Sequence, residues 1–105
     1  MRRSALTATA LSACLLLPTA ANAAATPDAY NAVGANWHRA RVARLFGSHG
    51  WREAHWQQAG HAVEVRGYPT SVKGAHVNVV FRWCRRDQAW EVRAKEWCTS
   101  EGCWS

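Results

Sequence analysis

Histidine and cysteine are the residue types in this 105-residue chain that most readily bind a metal ion. No two histidines stand three or four residues apart, as two ligands on one helical turn would, and the chain has no Cys-x2-Cys pair. His49, His55 and His61 recur every six residues, a spacing that places no two of them side by side on a helix or a strand. The other two histidines are His38 and His76. The sequence therefore predicts no metal site and no cofactor.

His55, His61 and Glu64 are the candidates for acid–base chemistry. A small basic hydrolase needs two such groups that converge on one substrate. Convergence cannot be read from this spacing, and the ordinary role of these residues is that of solvated side chains at strand edges. A small envelope hydrolase that uses the His and Glu groups is the alternative function, with no catalytic residue assigned.

Trp37, Arg41 and Arg44 form the clearest binding pattern. Residues four and seven positions apart share one face of a helix, so the three side chains are expected to touch. An arginine stem on a surface indole contributes about 0.5 to 1 kcal/mol and can serve stability alone. The other reading is a basic, aromatic-backed face for an anionic partner, to which Arg85 and Arg86 at a hairpin tip would add charge. The sequence thus favours a binding or inhibitory module that recognises an acidic protein or an anionic envelope polymer.

The charge balance permits such a partner without requiring it. The chain carries 13 Lys and Arg against 7 Asp and Glu, a formal net charge of +6. Without Arg2 and Arg3 the counts are 11 and 7, which leaves +4. No nucleic-acid-binding motif is present, and the predicted secretion argues against a nucleic-acid partner.

The N-terminus is typical of a secretory signal peptide over residues 1–23. Arg2 and Arg3 precede an apolar stretch that ends at Leu17, and small residues lead to a cleavage site near Ala23. The stretch is too short to span a bilayer, which needs about 20 apolar residues. Leu-Ser-Ala before Cys14 resembles a lipoprotein signal, which is the less favoured alternative because three leucines follow the cysteine. We expect residues 24–105 to form a single secreted or periplasmic domain without a membrane span.

The chain is also rich in tryptophan, with seven residues that all follow position 23. Each indole can bury on the order of 200 Å², so several of them can supply the core that a short chain lacks. The functional alternative is that two or three form an aromatic platform for a sugar, a peptide or a base.

Two helices are predicted in the first part of the chain. Thr26 and Pro27 are typical of a helix start, with Thr as the N-cap. A second helix is expected from Asn36 to Phe46, ended by Gly47. Residues 51–59 fit either a short helix or an irregular strand.

The pattern becomes clearer after His61. Val63 and Val65 alternate with polar residues, and the run is expected to end in a turn at residues 67–70. Two stronger runs follow, from Val77 to Trp83 and from Trp90 to Lys95.

These two runs predict a hairpin with a four-residue connection at 85–88. Its register places Trp83 opposite Trp90, Phe81 opposite Val92 and Arg82 opposite Glu91, which puts the apolar residues on one face and pairs opposite charges on the other. The remaining predicted pairs are Cys84 with Ala89 and Val79 with Ala94.

The hairpin determines the expected disulfide. Cys98 lies about 30 Å along the strand from the Cys84 end of the ladder, and a five-residue tail returns at most about 18 Å. Cys103 is therefore expected to bond to Cys98, which an oxidising compartment allows. Cys84 is left as an odd thiol. It is either buried under a loop, joined to a second copy in a covalent homodimer, or used in reactive or metal chemistry.

The predicted fold class is α+β. One main N-terminal helix packs on a small antiparallel sheet of three to four strands, and a disulfide loop between Cys98 and Cys103 closes the chain.

Overall fold

Residues 24–105 are described by the computed structural model of this chain. Two helices come first, α1 (Pro27–Ala32) and α2 (Arg39–Phe46). The five strands that follow are β1 (Trp51–Gln58), β2 (His61–Pro69), β3 (His76–Cys84), β4 (Ala89–Thr99) and β5 (Gly102–Trp104). Each strand pairs antiparallel with the next, so the sheet is a meander in the order β1-β2-β3-β4-β5.

The predicted α+β class with one main helix is wrong. The described part of the chain is dominated by a sheet of five strands, not three or four, and its helices contain only six and eight residues. The ambiguous residues 51–58 form β1, and residues 102–104 add β5. The disulfide between Cys98 and Cys103 is confirmed.

Helix α2 is shorter than predicted because the residues before it join the sheet. The segment from Asn36 to His38 is not helical, and it lies along the free edge of β4. The Asn36 N–H donates to the Val92 carbonyl at 3.0 Å, and the Val92 N–H donates to the Trp37 carbonyl at 2.9 Å. Helix formation therefore begins only at Arg39.

The start of α1 and the end of α2 follow the sequence signals. The Ala29 N–H donates to the Thr26 hydroxyl at 3.0 Å, and Pro27 occupies the first turn, as predicted. Gly47 ends α2 with a φ of 68°, a left-handed conformation that glycine adopts at little cost.

The predicted hairpin between β3 and β4 is confirmed near its turn and wrong beyond it. Cys84 pairs with Ala89, and the three central pairs, those of Phe81, Arg82 and Trp83, are also as predicted. A bulge then shifts the register, so Val79 lies opposite Lys95 instead of Ala94. The shift turns Lys95 toward the helices, where its ammonium donates to the carbonyls of Tyr30 at 2.6 Å and Val33 at 3.0 Å. It thereby satisfies carbonyls at the end of α1.

The two faces of the sheet differ, and we name them by their residues. The covered face carries the side chains that alternate with Tyr68 on β2, Phe81 on β3 and Val92 on β4, and both helices pack against it. The Phe46 and Tyr68 rings meet there edge to face at 5.0 Å, and Tyr30 meets Trp97 in the same way at 5.6 Å. The core lies in this layer.

The open face carries the alternating side chains. It includes Val63, Val65 and Gly67 on β2 together with their cross-strand partners, among them Trp51 and Trp56 on β1. Strand β2 continues through Pro69, so the turn predicted at residues 67–70 is wrong. Tyr68, expected in that turn, is completely buried in the core.

Among residues 24–105, no helix is long and apolar enough to cross a bilayer. The predicted signal peptide and the Cys14 alternative fall on residues 1–23, outside the described part of the chain.

Candidate binding surfaces

Trp37, Arg41 and Arg44 lie together as predicted, and we call this group the helix face. The Arg41 guanidinium carbon stands 3.6 Å from the centre of the Trp37 ring, close enough for a cation–π contact. All three side chains line one shallow depression of about 400 Å³ at the start of α2. The predicted contact of Arg41 with Trp37 is therefore present, although Trp37 precedes the first helical residue, and Arg44 shares the depression with them.

The helix face has uncompensated positive charge. Helix α2 contains no acidic residue, and no carboxylate among residues 24–105 lies within 4.0 Å of Arg41 or Arg44. Trp37 also packs on the edge of the core and over Gly34, where an added β-carbon would stand 3.1 Å from the indole nitrogen. The indole is thus a fixed support for Arg41.

Arg85 and Arg86 occupy the tight turn between β3 and β4, and both are exposed. Neither lines the depression of the helix face. The two regions are linked by His38, whose Nε2 lies 3.7 Å from a carboxylate oxygen of Asp87 in the turn. Asp87 also attracts Arg86 at 3.7 Å, which reduces the charge that the turn presents.

His38, Asp87 and Glu91 form a cluster that the sequence did not predict. Their ligand atoms all lie within 4.8 Å of one another, and His38 Nε2 is 3.6 Å from Glu91. An imidazole and two carboxylates are a donor set suited to a divalent ion such as zinc. An exposed network of ion pairs that binds no metal would have the same contacts.

A buried carboxylate on the covered face is the other feature that sequence reasoning missed. Glu64 is completely buried and accepts from Arg39 at 2.7 Å, Arg52 at 3.0 Å and Arg66 at 2.9 Å. Burial alone would raise the pKa of Glu64, but hydrogen bonds from Arg39 and Arg52, with the charges of Arg39 and Arg66, hold it below its ordinary value. This carboxylate joins α2, β1 and β2.

The residues considered for acid–base chemistry are divided between the two faces of the sheet. His55 lies opposite Glu64 on the covered face, whereas His61 lines a cleft on the open face. Glu64 is already engaged by three arginines. The alternative of an envelope hydrolase that uses these groups stays a prediction.

Cys84 is a free, partly exposed thiol at the end of β3. It lies on the open face with Arg82, as the alternation predicts. The covalent homodimer through this thiol stays a prediction.

Comparison of the chain with protein-family models, with curated proteins and with solved structures finds no match.

Proposed function

We propose that this protein is a secreted or periplasmic binding module, of the kind that can inhibit its target, and that the helix face binds an acidic segment of a partner protein. The observation that carries the proposal is the Arg41 guanidinium held 3.6 Å above the Trp37 ring, beside Arg44 and without a carboxylate neighbour among residues 24–105.

A guanidinium supported in this way is well prepared to bind a carboxylate. Its planar edge carries paired N–H donors that match the two oxygens of an Asp or Glu side chain. Because the indole already restricts Arg41, less side-chain entropy is lost on binding than for a freely rotating arginine. The partly buried Arg39 and Arg66 are less suitable, since both are occupied by Glu64.

The charges around the helix face favour a protein over a uniformly charged polymer. Asp87 and Glu91 lie next to His38, which lines the same depression as Arg41. A continuous polyanion that crossed this region would meet both carboxylates and be repelled. A folded protein can present an acidic group to Arg41 and Arg44 and a basic or neutral group to the carboxylates. The disulfide between Cys98 and Cys103 supports a role in an oxidising compartment.

The experiment is a pull-down from the secreted and periplasmic fraction of the source cells, read by quantitative mass spectrometry, with the wild type, two double variants and one single-variant control. Arg41→Ala with Arg44→Ala should reduce the captured acidic partner at least tenfold. Arg85→Ala with Arg86→Ala should reduce it less, since these arginines lie outside the depression. Lys73→Ala removes a positive charge from an exposed loop position outside both proposed surfaces and should leave capture unchanged.

The dependence of capture on salt, and its competition by an anionic polymer, complete this test. Capture should weaken strongly as the NaCl concentration rises from 50 to 300 mM, because salt in this range screens the attraction between exposed charges. Equal capture by the wild type and the Arg41, Arg44 variant would overturn the proposal. If the wild type retains no protein partner and an anionic envelope polymer alone releases the captured material, the helix face binds the polymer instead.

A further inference from the structure

Two tryptophans on the open face remain without a role. Trp51 and Trp56 both lie on β1, and each is more than 40% exposed, at 42% and 43%. Their cross-strand partners Gly67 and Val63 belong to the same face of the sheet, so both indoles project from that face. A bulge between Arg52 and Ala54 brings both indoles to one face, and because their partners are four positions apart on β2 the two are separated by roughly 13 Å.

Each indole is held in place from one side. The Trp51 ring nitrogen donates to Glu53 at 2.6 Å, and the Trp56 ring nitrogen donates to the Gln58 side chain at 3.0 Å. Trp51 also rests directly on Gly67, where an added β-carbon would stand 2.5 Å from the ring. The sheet therefore has a glycine where the indole needs room.

A cleft of about 260 Å³ lies beside Trp56. Val63 and Val80 belong to its lining, which also includes His61, Arg82 and Arg93. Among residues 24–105 no carboxylate lies within 4.0 Å of either guanidinium. The cleft thus combines an apolar surface, an aromatic wall and two guanidinium groups, of which that of Arg82 has Glu91 as its cross-strand neighbour.

The charge of the open face changes along its length. Glu53 is bonded to Trp51, and Glu96, which accepts from Asn78 at 3.1 Å, lies on the same side of the sheet as Gly67. Arg82 and Arg93 accompany Trp56 at the other end, where Glu91 on β4 lies opposite Arg82, so this end carries two positive charges against one negative charge. A ligand that fits this face carries negative charge near Trp56 and none near Trp51.

We propose that the open face binds a strand of acidic heteropolysaccharide, in which neutral sugars alternate with carboxylate-bearing sugars. The partly positive C–H groups of a sugar ring pack against the negative face of an indole. A neutral ring lies on Trp51, and the acidic ring lies on Trp56 with its carboxylate on Arg82 and Arg93. This site is separate from the helix face and does not depend on the function proposed for it.

The charge pattern also distinguishes this ligand from single-stranded nucleic acid. Bases can stack on tryptophans above a basic groove. A phosphate at every nucleotide, however, would bring negative charge next to Glu53 and Glu96, whereas a neutral sugar would not.

The experiment uses titration calorimetry with the purified protein and three probes. The first is an octasaccharide of alternating glucuronate and N-acetylglucosamine, the second a neutral N-acetylglucosamine oligosaccharide of similar length, and the third an oligothymidylate. The acidic octasaccharide should bind most tightly, and the neutral one at least fivefold more weakly. Preference for oligothymidylate, or no binding of either saccharide, would overturn the proposal.

Matched variants locate the site. Trp56→Ala should weaken binding of the acidic octasaccharide at least tenfold, and Arg93→Ala should weaken it while leaving the neutral probe unchanged. Trp104→Ala removes another exposed indole, 52% accessible and outside the open face, and should bind as the wild type does. The Arg41, Arg44 double variant should also bind normally, so failure here and failure of the helix face are distinguishable. Equal affinity of Trp56→Ala and the wild type would refute the assignment.

Discussion

The covered and open faces of one sheet use adjacent residues for opposite purposes. On the covered face Val77, Val79 and Phe81 are completely buried beneath the helices, and Val92 is nearly so. On the open face the side chains between them are polar or only partly buried, and Trp56 is held at the surface. A strand in a two-layer fold can therefore contribute stability from one set of alternate residues and leave the other set available for contact.

Neighbouring residues of β3 give the strongest test of this difference. Phe81→Ala removes a completely buried ring and should lower the free energy of unfolding by about 4 kcal/mol. Val80→Ala, on the open face, removes a partly buried side chain and should cost less than about 1 kcal/mol. Urea unfolding followed by circular dichroism measures both.

A milder variant covers the case in which Phe81→Ala does not fold. Phe81→Leu keeps most of the apolar volume and should cost about 1 to 1.5 kcal/mol. If Val80→Ala were as damaging as Phe81→Ala, the two faces would contribute equally to the core, and the comparison would fail.

Glu64 is the exception on the covered face, because it is a charge in an otherwise apolar layer. Glu64→Gln leaves the guanidinium groups of Arg39, Arg52 and Arg66 together without their carboxylate, and should cost about 3 kcal/mol. The value is at the low end for a buried ion pair, since the arginines are partly exposed. Glu101→Gln, an exposed carboxylate without an ion pair among residues 24–105, is the matched control and should change stability little.

The same carboxylate gives the stability a defined dependence on pH. The pKa of Glu64 is lower in the folded protein than its ordinary value, so the folded state holds fewer protons there than the unfolded chain does. Its contribution is complete above about pH 4.3, the ordinary value for glutamate, and is lost as the pH falls through the lowered pKa. Unfolding measured from pH 7 to pH 2.5 should show this loss in the wild type and a smaller one in Glu64→Gln. Parallel curves for the two proteins would contradict this role.

The hairpin was predictable because its signals are local. Alternation, a four-residue turn and the opposite charges of Arg82 and Glu91 together allow only one register near the turn, and the structure has it. The register shift farther from the turn was not predictable, because it depends on a contact with a part of the chain that is distant in sequence. Lys95 faces the helices, where the last carbonyls of α1 need a donor, and the bulge makes this possible.

The side-chain clusters at the surface and in the core were also predictable only where their signal is local. The contact of Trp37 with Arg41 follows from spacing of four residues, and it is present. The burial of Glu64 has no local signal, since Val63 and Val65 next to it are the residues that alternation assigns to the core. Only the meeting of Arg39 and Arg52 around one carboxylate, across 25 and 12 positions of sequence, makes that burial tolerable.

The disulfide is expected to contribute less to stability than the buried Phe81 ring or the Glu64 carboxylate. Cys98 lies opposite His76 on the open side and is bonded to Cys103, five residues away. Cys98→Ser with Cys103→Ser should lower the free energy of unfolding by no more than about 2 kcal/mol, because a short loop restricts the unfolded chain least. Unfolding of the wild type with and without reductant should give the same difference. A loss as large as that of Phe81→Ala would mean that the bond, and not the covered face, holds the sheet together.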